Sequence, residues 1–253
     1  MLRADQLACA RGGCRILQGI DFTLAAGEVL AVLGTNGAGK STLMSTLTGE
    51  LPADGGGVQL FGRALADWPA NARARRLAVL LQSSTLAFPF ACEEVVAMGR
   101  LPHESGHERD LQIIELAMQA ADVAHLRGRN YLALSGGERQ RVHLARVLSQ
   151  VWEVEGACLL LDEPTASLDL AHQQLTLAQA RLVAERGGAV LVILHDLNLA
   201  ARYADRILLL DRGGMAALGS PWEVLEAERI KTVFGVSVRV EPHPQQDCPL
   251  VII

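Results

Sequence analysis

The chain has 253 residues, of which half are hydrophobic and a fifth charged. That suffices for one large domain or two small ones with a full core, and it excludes a disordered chain, a collagen-like repeat and a disulfide scaffold. The formal net charge of −5, from 28 acidic and 23 basic residues, argues against a general nucleic-acid binder that works by neutralising phosphates. No apolar run approaches the roughly 18 residues of a spanning helix; Ala189 to Leu194 is cut off by His195 and Asp196. Residues Met1 to Gln6 carry Arg3 and Asp5 and lead into no apolar signal core, so a cytosolic location is expected. Cys9, Cys14, Cys92, Cys158 and Cys248 then read as reduced thiols, because an odd count without a CxxC pair fits neither a disulfide framework nor a zinc site. Of the basic residues only Lys40 and Lys231 are lysine. A chain that otherwise uses the broad planar fork of Arg singles out Lys40 as a position that needs a slim point charge.

In chain order, the first 60 residues read as strands and turns. Val29 to Leu33 is a strand after the turn Ala26-Gly27-Glu28, followed by a glycine-rich loop and a helix opening at Ser41 to Leu47. Residues 51 to 62, with Pro52 and glycines around Val58 and Leu60, predict a hairpin-rich segment, and Leu77 to Leu81 a short buried strand. From about Ser83 to Val151 the spacing turns helical, over Glu93 to Met98, Leu111 to Ala121 and Glu138 to Leu148. Strands return at Cys158 to Leu161, Ala189 to Leu194 and Ile207 to Leu210, separated by helices at Leu170 to Glu185 and Leu197 to Tyr203. From Val236 the sequence reads as a strand and then a Pro-rich tail. This alternation predicts an α/β fold with a mostly parallel sheet, an N-terminal antiparallel β portion and an inserted helical subdomain. The expected organisation is a single domain over 1–253, with a core of 1–82 and 156–253 and a helical insertion over 83–155.

Gly34-Thr35-Asn36-Gly37-Ala38-Gly39-Lys40-Ser41 matches GxxxxGK[ST] between a strand and a helix, the context that makes the match meaningful. The glycines let successive N–H groups turn toward phosphate oxygens, and the helix start adds its positive dipole end. Lys40 reaches the β and γ phosphates, and the Ser41 hydroxyl, followed by Thr42, can ligate Mg²⁺. The core is therefore a P-loop NTPase. This loop alone leaves kinases, GTPases, helicases and transporter motors open. Cys158-Leu159-Leu160-Leu161-Asp162-Glu163-Pro164 narrows the choice: an apolar strand delivers Asp162 as the metal-side carboxylate and Glu163 as the general base for a water attacking the γ-phosphate. Leu134-Ser135-Gly136-Gly137-Glu138-Arg139-Gln140 would by itself be an ordinary N-cap opening an amphipathic helix.

Taken together, these three motifs resemble the signature of the ATP-binding-cassette ATPases, over nearly the whole chain. Gln82 resembles the Q-loop glutamine, Ser167-Leu168-Asp169 the D-loop and His195 the switch histidine. The resemblance implies a homodimer closed around two ATP molecules, in which Ser135, Gly136, Gly137 and Glu138 of one copy cover the nucleotide held by Gly34 to Thr42 of the other. It implies further that Asp169 lies by that nucleotide, that His195 contacts the γ-phosphate, and that Gln82 meets the attacking water. The Mg²⁺ bound with ATP is then held by Ser41, Gln82 and Asp162. Where the family usually has an aromatic residue stacked on adenine, Gly12-Gly13 place Arg11, whose plane also stacks on a base.

The segment after Gln82, from Ser83 through Phe88-Pro89-Phe90 to Arg100, together with Gln140 to Arg146, Val233 to Val236 and Val240 to Pro244, is similar to the haem-import ATPases, within the iron-siderophore, haem and cobalamin group. That likeness implies two copies of a transmembrane permease, a periplasmic haem-binding protein acting through the complex, no nucleic acid, and a peripheral place on the cytoplasmic face of the inner membrane. Import of a ferric siderophore or cobalamin is the near alternative. A cassette ATPase of DNA repair or of ribosomes is the distant one, and a P-loop small-molecule kinase would need neither LSGGE nor His195. One further pattern, His103-Glu104-Ser105-Gly106-His107, fits HExxH, but Pro102 and Ser105-Gly106 interrupt the helix that zinc ligation at i and i+4 requires.

Overall fold

The computed structural model describes residues 1–82 and 86–253. In chain order the elements are β1 (Leu2–Arg11), β2 (Cys14–Leu24), β3 (Val29–Gly34), α1 (Lys40–Thr48), β4 (Gly55–Leu60) and β5 (Arg63–Ala64). Then follow α2 (Ala70–Ala74), β6 (Leu77–Leu80), α3 (Cys92–Ala97), α4 (His107–Ala120), α5 (Gly136–Val151), β7 (Cys158–Asp162) and α6 (Leu170–Glu185). The chain ends with β8 (Ala189–Ile193), α7 (Leu197–Tyr203), β9 (Arg206–Asp211), β10 (Gly214–Gly219), α8 (Pro221–Val224), α9 (Ala227–Phe234), β11 (Arg239–Pro242) and β12 (Pro249–Ile252). Short 3-10 turns, such as Tyr131–Ala133, punctuate the helical stretch. The fold is α/β, as the alternation predicts. Contacts divide the chain into two compact units, Met1–Trp68 with Ala189–Ile253, and Pro69–Gly188.

In the first unit, β1 pairs antiparallel with β2 and β4, and β4 with β5. Residues 51–62 thus give one full strand paired with β1 and a two-residue turn, less of a hairpin than their glycines suggest; Phe61 and Gly62 both take positive φ, 52° and 75°, the backbone twist that suits a tight hairpin. Gly56 (φ 67°) lies so close to β1 that a Cβ would come within 2.1 Å of the Asp5 carbonyl oxygen. A second sheet runs through β3, which is parallel to both β8 and β9, while β9 pairs antiparallel with β10. Every residue of β3 and β8 is buried, which is why both read as unbroken apolar runs. The C-terminal run, read as a strand and then a Pro-rich tail, forms that strand as β11, and the tail folds back as β12 into a hairpin with Pro242 opposite Pro249. Asn198 of α7 fastens it by exchanging hydrogen bonds with Val251, 3.0 and 2.8 Å.

In the second unit, β6 and β7 form a parallel pair with Leu77 opposite Cys158. From Cys92 to Val151 the described residues are helices and turns, with α3 and α4 packed on α5. A buried fork holds this stretch: Arg100, only 6 % exposed, donates to Asp110 (2.8 Å), to the Ser149 carbonyl (2.7 Å) and to Ser105 (2.7 Å). A guanidinium with each face of its fork satisfied avoids the penalty of an unpaired buried charge.

The turn between β9 and β10 supports the loop after β3. Gly213 (φ 81°) accepts from Gln18 N (2.8 Å) and donates to Ala38 O (3.2 Å), and a Cβ there would sit 2.2 Å from the Ile16 carbonyl oxygen. Gly213→Ala is expected to cost about 2 kcal/mol or more, from left-handed strain plus displacement of β2. The check is urea unfolding, read as a lower midpoint at unchanged slope; a parental midpoint would show that the turn accepts a side chain.

Candidate active site

In the first unit the strand-to-helix loop is built for a bound anion. β3 ends at Gly34, where a Cβ would lie 2.5 Å from the Leu210 carbonyl oxygen, and Gly39 (φ 102°) is pressed on Leu17, 2.8 Å from where its Cβ would be. Gly37 takes φ 82° in an exposed stretch. The loop therefore curls tightly with its back against β2 and β9. Gly39 caps α1 without a side-chain hydrogen bond, so the first amides of α1 keep their capacity for an anion. Lys40 is 6 % exposed, and its Nζ donates to the carbonyls of Gly34 (2.8 Å) and Thr35 (3.0 Å) within the loop. A guanidinium is too broad for that position, which accounts for one of the chain's two lysines. Ser41 is exposed and Thr42 half-buried on the first turn of α1, and Asn36 is exposed.

Two more of the sequence-predicted residues lie in this unit. Arg11 is exposed at the end of β1, opposite Cys14 across the turn Gly12-Gly13, whose φ values are 58° and 80°. His195 is exposed two residues past the end of β8, beside Asp196, which caps α7 by accepting from Asn198 N (2.8 Å) and Leu199 N (3.0 Å).

In the second unit β7 ends at Asp162, which is 6 % exposed, and the next residue, Glu163, has φ 48°. A non-glycine residue in the left-handed region costs about 1 kcal/mol or more and persists where its surroundings fix it. Gln82 Nε2 donates to Glu163 Oε2 at 2.6 Å, so the structure brings these two predicted residues together. Ser83, Ser84 and Thr85, which open the segment likened to haem-import ATPases, lie outside the described residues.

The signature segment is an N-cap in full. Ser135 Oγ accepts from Glu138 N (3.3 Å), and Glu138 Oε2 accepts from Ser135 N (2.8 Å), a capping box at the start of α5. The bonds from the Ser135 amide and hydroxyl hold the Glu138 carboxyl below the usual carboxylate range, and Arg129, 3.3 Å away, acts in the same sense. A Cβ on Gly137 would stand 3.1 Å from the Ser167 carbonyl oxygen, whereas one on Gly136 would meet nothing within 4 Å. Asp169 caps α6: its Oδ1 accepts from His172 N (2.9 Å) and lies 2.8 Å from His172 Nδ1, contacts that lower its pKa.

The zinc pattern is not a site. His107 starts α4 behind the cap Gly106 (φ 87°), while His103 lies outside any helix with Nε2 2.8 Å from the Gln150 carbonyl. Among the described residues no group of three or more His, Cys, Asp or Glu is placed to hold a metal by itself. Sequence reading missed the main-chain atoms behind the phosphate loop, those of Ile16, Leu210 and Gly213, because carbonyl positions leave no mark in a side-chain alphabet.

A family model described as ABC transporter matches residues 17–166. The chain belongs to the ABC transporter family. It is an ABC ATPase, the ATP-hydrolysing subunit of a transporter. Over all 253 residues it is 59 % identical to the hemin import ATP-binding protein HmuV of Pseudomonas fluorescens, covering 99 % of that protein. It is 55 % identical over its full length to the protein of the same name from Gloeobacter violaceus, covering 94 % of it. Among solved structures, an ABC transporter described as of metal-chelate type, in an inward-facing conformation, matches with a TM-score of 0.82 and 26 % identity, over 99 % of this chain and 96 % of that one. A bacterial Atm1-family ABC exporter with ATP bound matches with a TM-score of 0.76 and 29 % identity, over 88 % of this chain and 39 % of that one.

For this ABC ATPase the two signature glycines differ. Gly137 is explained by the Ser167 carbonyl, but the chain's own packing gives no reason for Gly136. Gly136→Ala is therefore expected to leave the urea midpoint unchanged or raised, by up to about 1 kcal/mol from helix propensity, and yet to cut ATP turnover about tenfold or more. Undiminished turnover would show that nothing from outside approaches this helix start.

Proposed function

We infer that this chain is the motor of a haem importer, hydrolysing ATP to drive haem across the inner membrane. The observation that carries this reading is identity of 55 to 59 % over the full chain with hemin import ATP-binding proteins from Pseudomonas and Gloeobacter. The chain works as a homodimer on the cytoplasmic face beneath two permease subunits, fed by a periplasmic haem-binding protein. No helix among the described residues is long and apolar enough to cross a membrane, in keeping with a pathway in other subunits. The core, residues 1–82 and 156–253, holds the nucleotide. The helical segment, 83–155, carries the signature and meets the permease.

The loop Gly34 to Thr42 binds the phosphates through its amides and Lys40, and Arg11 stacks on the base. Ser135, Gly136, Gly137, Glu138 and Asp169 of the second copy complete the site. Glu163 takes the proton of the attacking water, Gln82 and His195 hold that water and the γ-phosphate, the bond to the bridging oxygen breaks, and ADP and phosphate leave. The donors available to Mg²⁺ are the Ser41 hydroxyl, the Asp162 carboxylate and the Gln82 amide oxygen. Gln82 gives its nitrogen to Glu163, so its oxygen is the other end of the amide. All three are hard oxygen ligands, the kind this cation prefers. Held by these residues, Mg²⁺ would supply positive charge to offset the charge that develops on the phosphates.

Glu163→Gln is expected to lower turnover about 100-fold or more while nucleotide stays bound and the chain dimerises on ATP. Sedimentation at saturating ATP checks this, and a chain that stays monomeric overturns the sandwich. Cargo is read in liposomes carrying the chain with its co-purified permease, offered haem, cobalamin and a ferric siderophore with their binding proteins. Haem accumulation abolished by Glu163→Gln is the expected outcome; uptake of either other compound in its place overturns the cargo and leaves the ATPase standing.

A further inference from the structure

Within the second unit, one imidazole joins three elements that the proposed mechanism leaves unconnected. His172, on the first turn of α6, has Nδ1 2.8 Å from Asp169 Oδ1 and Nε2 3.2 Å from Asp122 Oδ2. Asp122 also takes Arg141 of α5, whose Nη1 donates to its carbonyl (2.6 Å) and its carboxylate (3.0 Å). The line Asp169–His172–Asp122–Arg141 therefore runs from the cap of α6, through the end of α4, into the signature helix.

Two features separate this line from incidental surface charge. Asp122 ends α4 with φ 53°, a place where Gly or Asn is the ordinary residue because a left-handed backbone costs other side chains about 1 kcal/mol or more. A carboxylate is nevertheless kept there, and both of its oxygen-bearing groups are used. Isolated exposed ion pairs contribute little, but the Arg141 side chain is only 9 % exposed. The second feature is the loop the line ends on: Ser167, two residues before Asp169, lies directly against the Gly137 backbone of α5. The loop is thus pinned to α5 at one point by packing and at another by charge.

We propose that His172 is a positioning residue of the ATPase: it fastens the Asp169 loop to the helix that opens at Ser135, so that both segments meet the nucleotide of the second copy in one fixed relation. The proposal rests on the nucleotide-sandwiched dimer inferred above. Both carboxylates are acceptors and every form of the imidazole carries at least one N–H, so the ring donates to at least one of them. The groups facing the ring are Asp169 from the α6 cap, Asp122 from the end of α4 and, through Asp122, Arg141 from α5.

The test uses the Glu163→Gln chain and reads the ATP concentration that half-dimerises it. Adding His172→Ala or Asp122→Gly is expected to raise that concentration about fivefold, with the two changes together no worse than either alone. ATP binding by the monomer, followed with a fluorescent analogue, should stay within about twofold. Asp122→Gly is the decisive variant. Glycine relieves the left-handed strain, so a merely structural role predicts an unchanged or more stable chain with unchanged dimerisation. Equal half-points in all variants, or effects that simply add, overturn the proposal. A Glu163→Gln chain that dimerises at no ATP concentration overturns the sandwich instead. Hydrogen exchange then decides the fastening alone: amides of 119–124 and 165–172 should exchange about threefold faster in His172→Ala, and identical exchange ends it.

Discussion

The structure turns on how closely the backbone after β3 passes its neighbours. At Gly34 a Cβ would stand 2.5 Å from the Leu210 carbonyl oxygen, and at Gly39 one would stand 2.8 Å from Leu17. Any side chain at these two points would push the loop away from β9 and β2 and open the curl that directs its amides inward. The parallel register of β3 with β9, Gly34 opposite Leu210, fixes one end of that curl. The turn at Gly213, bonded to Ala38 and Gln18, fixes the other. Phosphate binding is in this sense a property of sheet register as much as of the loop itself, because amide directions are set by what the backbone leans on.

The remaining motif residues obey a second rule: they stand where strands end or helices begin. Ser135, Asp169 and Asp196 are each the N-cap of a helix and each satisfies amides with its own side chain. Those helix starts are rigid because their polar groups are paired. α1 is different, since Gly39 brings no side chain to its cap, and its amides keep their capacity for a ligand. A chain that caps these three motif-bearing helices with side chains and leaves the phosphate-facing one to glycine has divided structural from binding duty at the level of single atoms.

How much of this was legible in the sequence follows from which forces leave a pattern. Buried strands announce themselves as apolar runs, so β3, β7, β8 and β9 were readable, and helices α6 and α7 were bounded at their true residues. The phosphate loop and the LSGGE cap were readable because both depend on residue types at fixed local spacing. The long pairing of β1 with β2 and β4 was much less so: its register slips at bulges, and its faces carry no clean alternation. The C-terminal hairpin was hidden by prolines that look like breakers but sit opposite each other at its loop end. Least legible was the left-handed backbone at Asp122 and Glu163. Asp and Glu signal charge, and only the folded chain reveals that they also carry a strained conformation.

The use of basic residues draws these levels together. With 21 arginines against two lysines, the chain spends planar forks wherever one cation must bind several fixed acceptors. Arg100 does so with Asp110, Ser105 and the Ser149 carbonyl, and Arg141 with both the carbonyl and the carboxylate of Asp122. Such forks hold neighbouring segments in one geometry, because a guanidinium cannot turn to follow a moving partner without breaking a bond. The phosphate loop makes the opposite demand. Its cation must fit a 6 % exposed crevice, satisfy two loop carbonyls there, and be able to exchange them for phosphate oxygens. A slim ammonium on a flexible stem meets that demand, since its three donors rotate without a preferred plane. Arginine where the structure must hold and lysine where a ligand must come and go is the same distinction, between fixed and exchangeable hydrogen bonds, that separates the capped helices from α1.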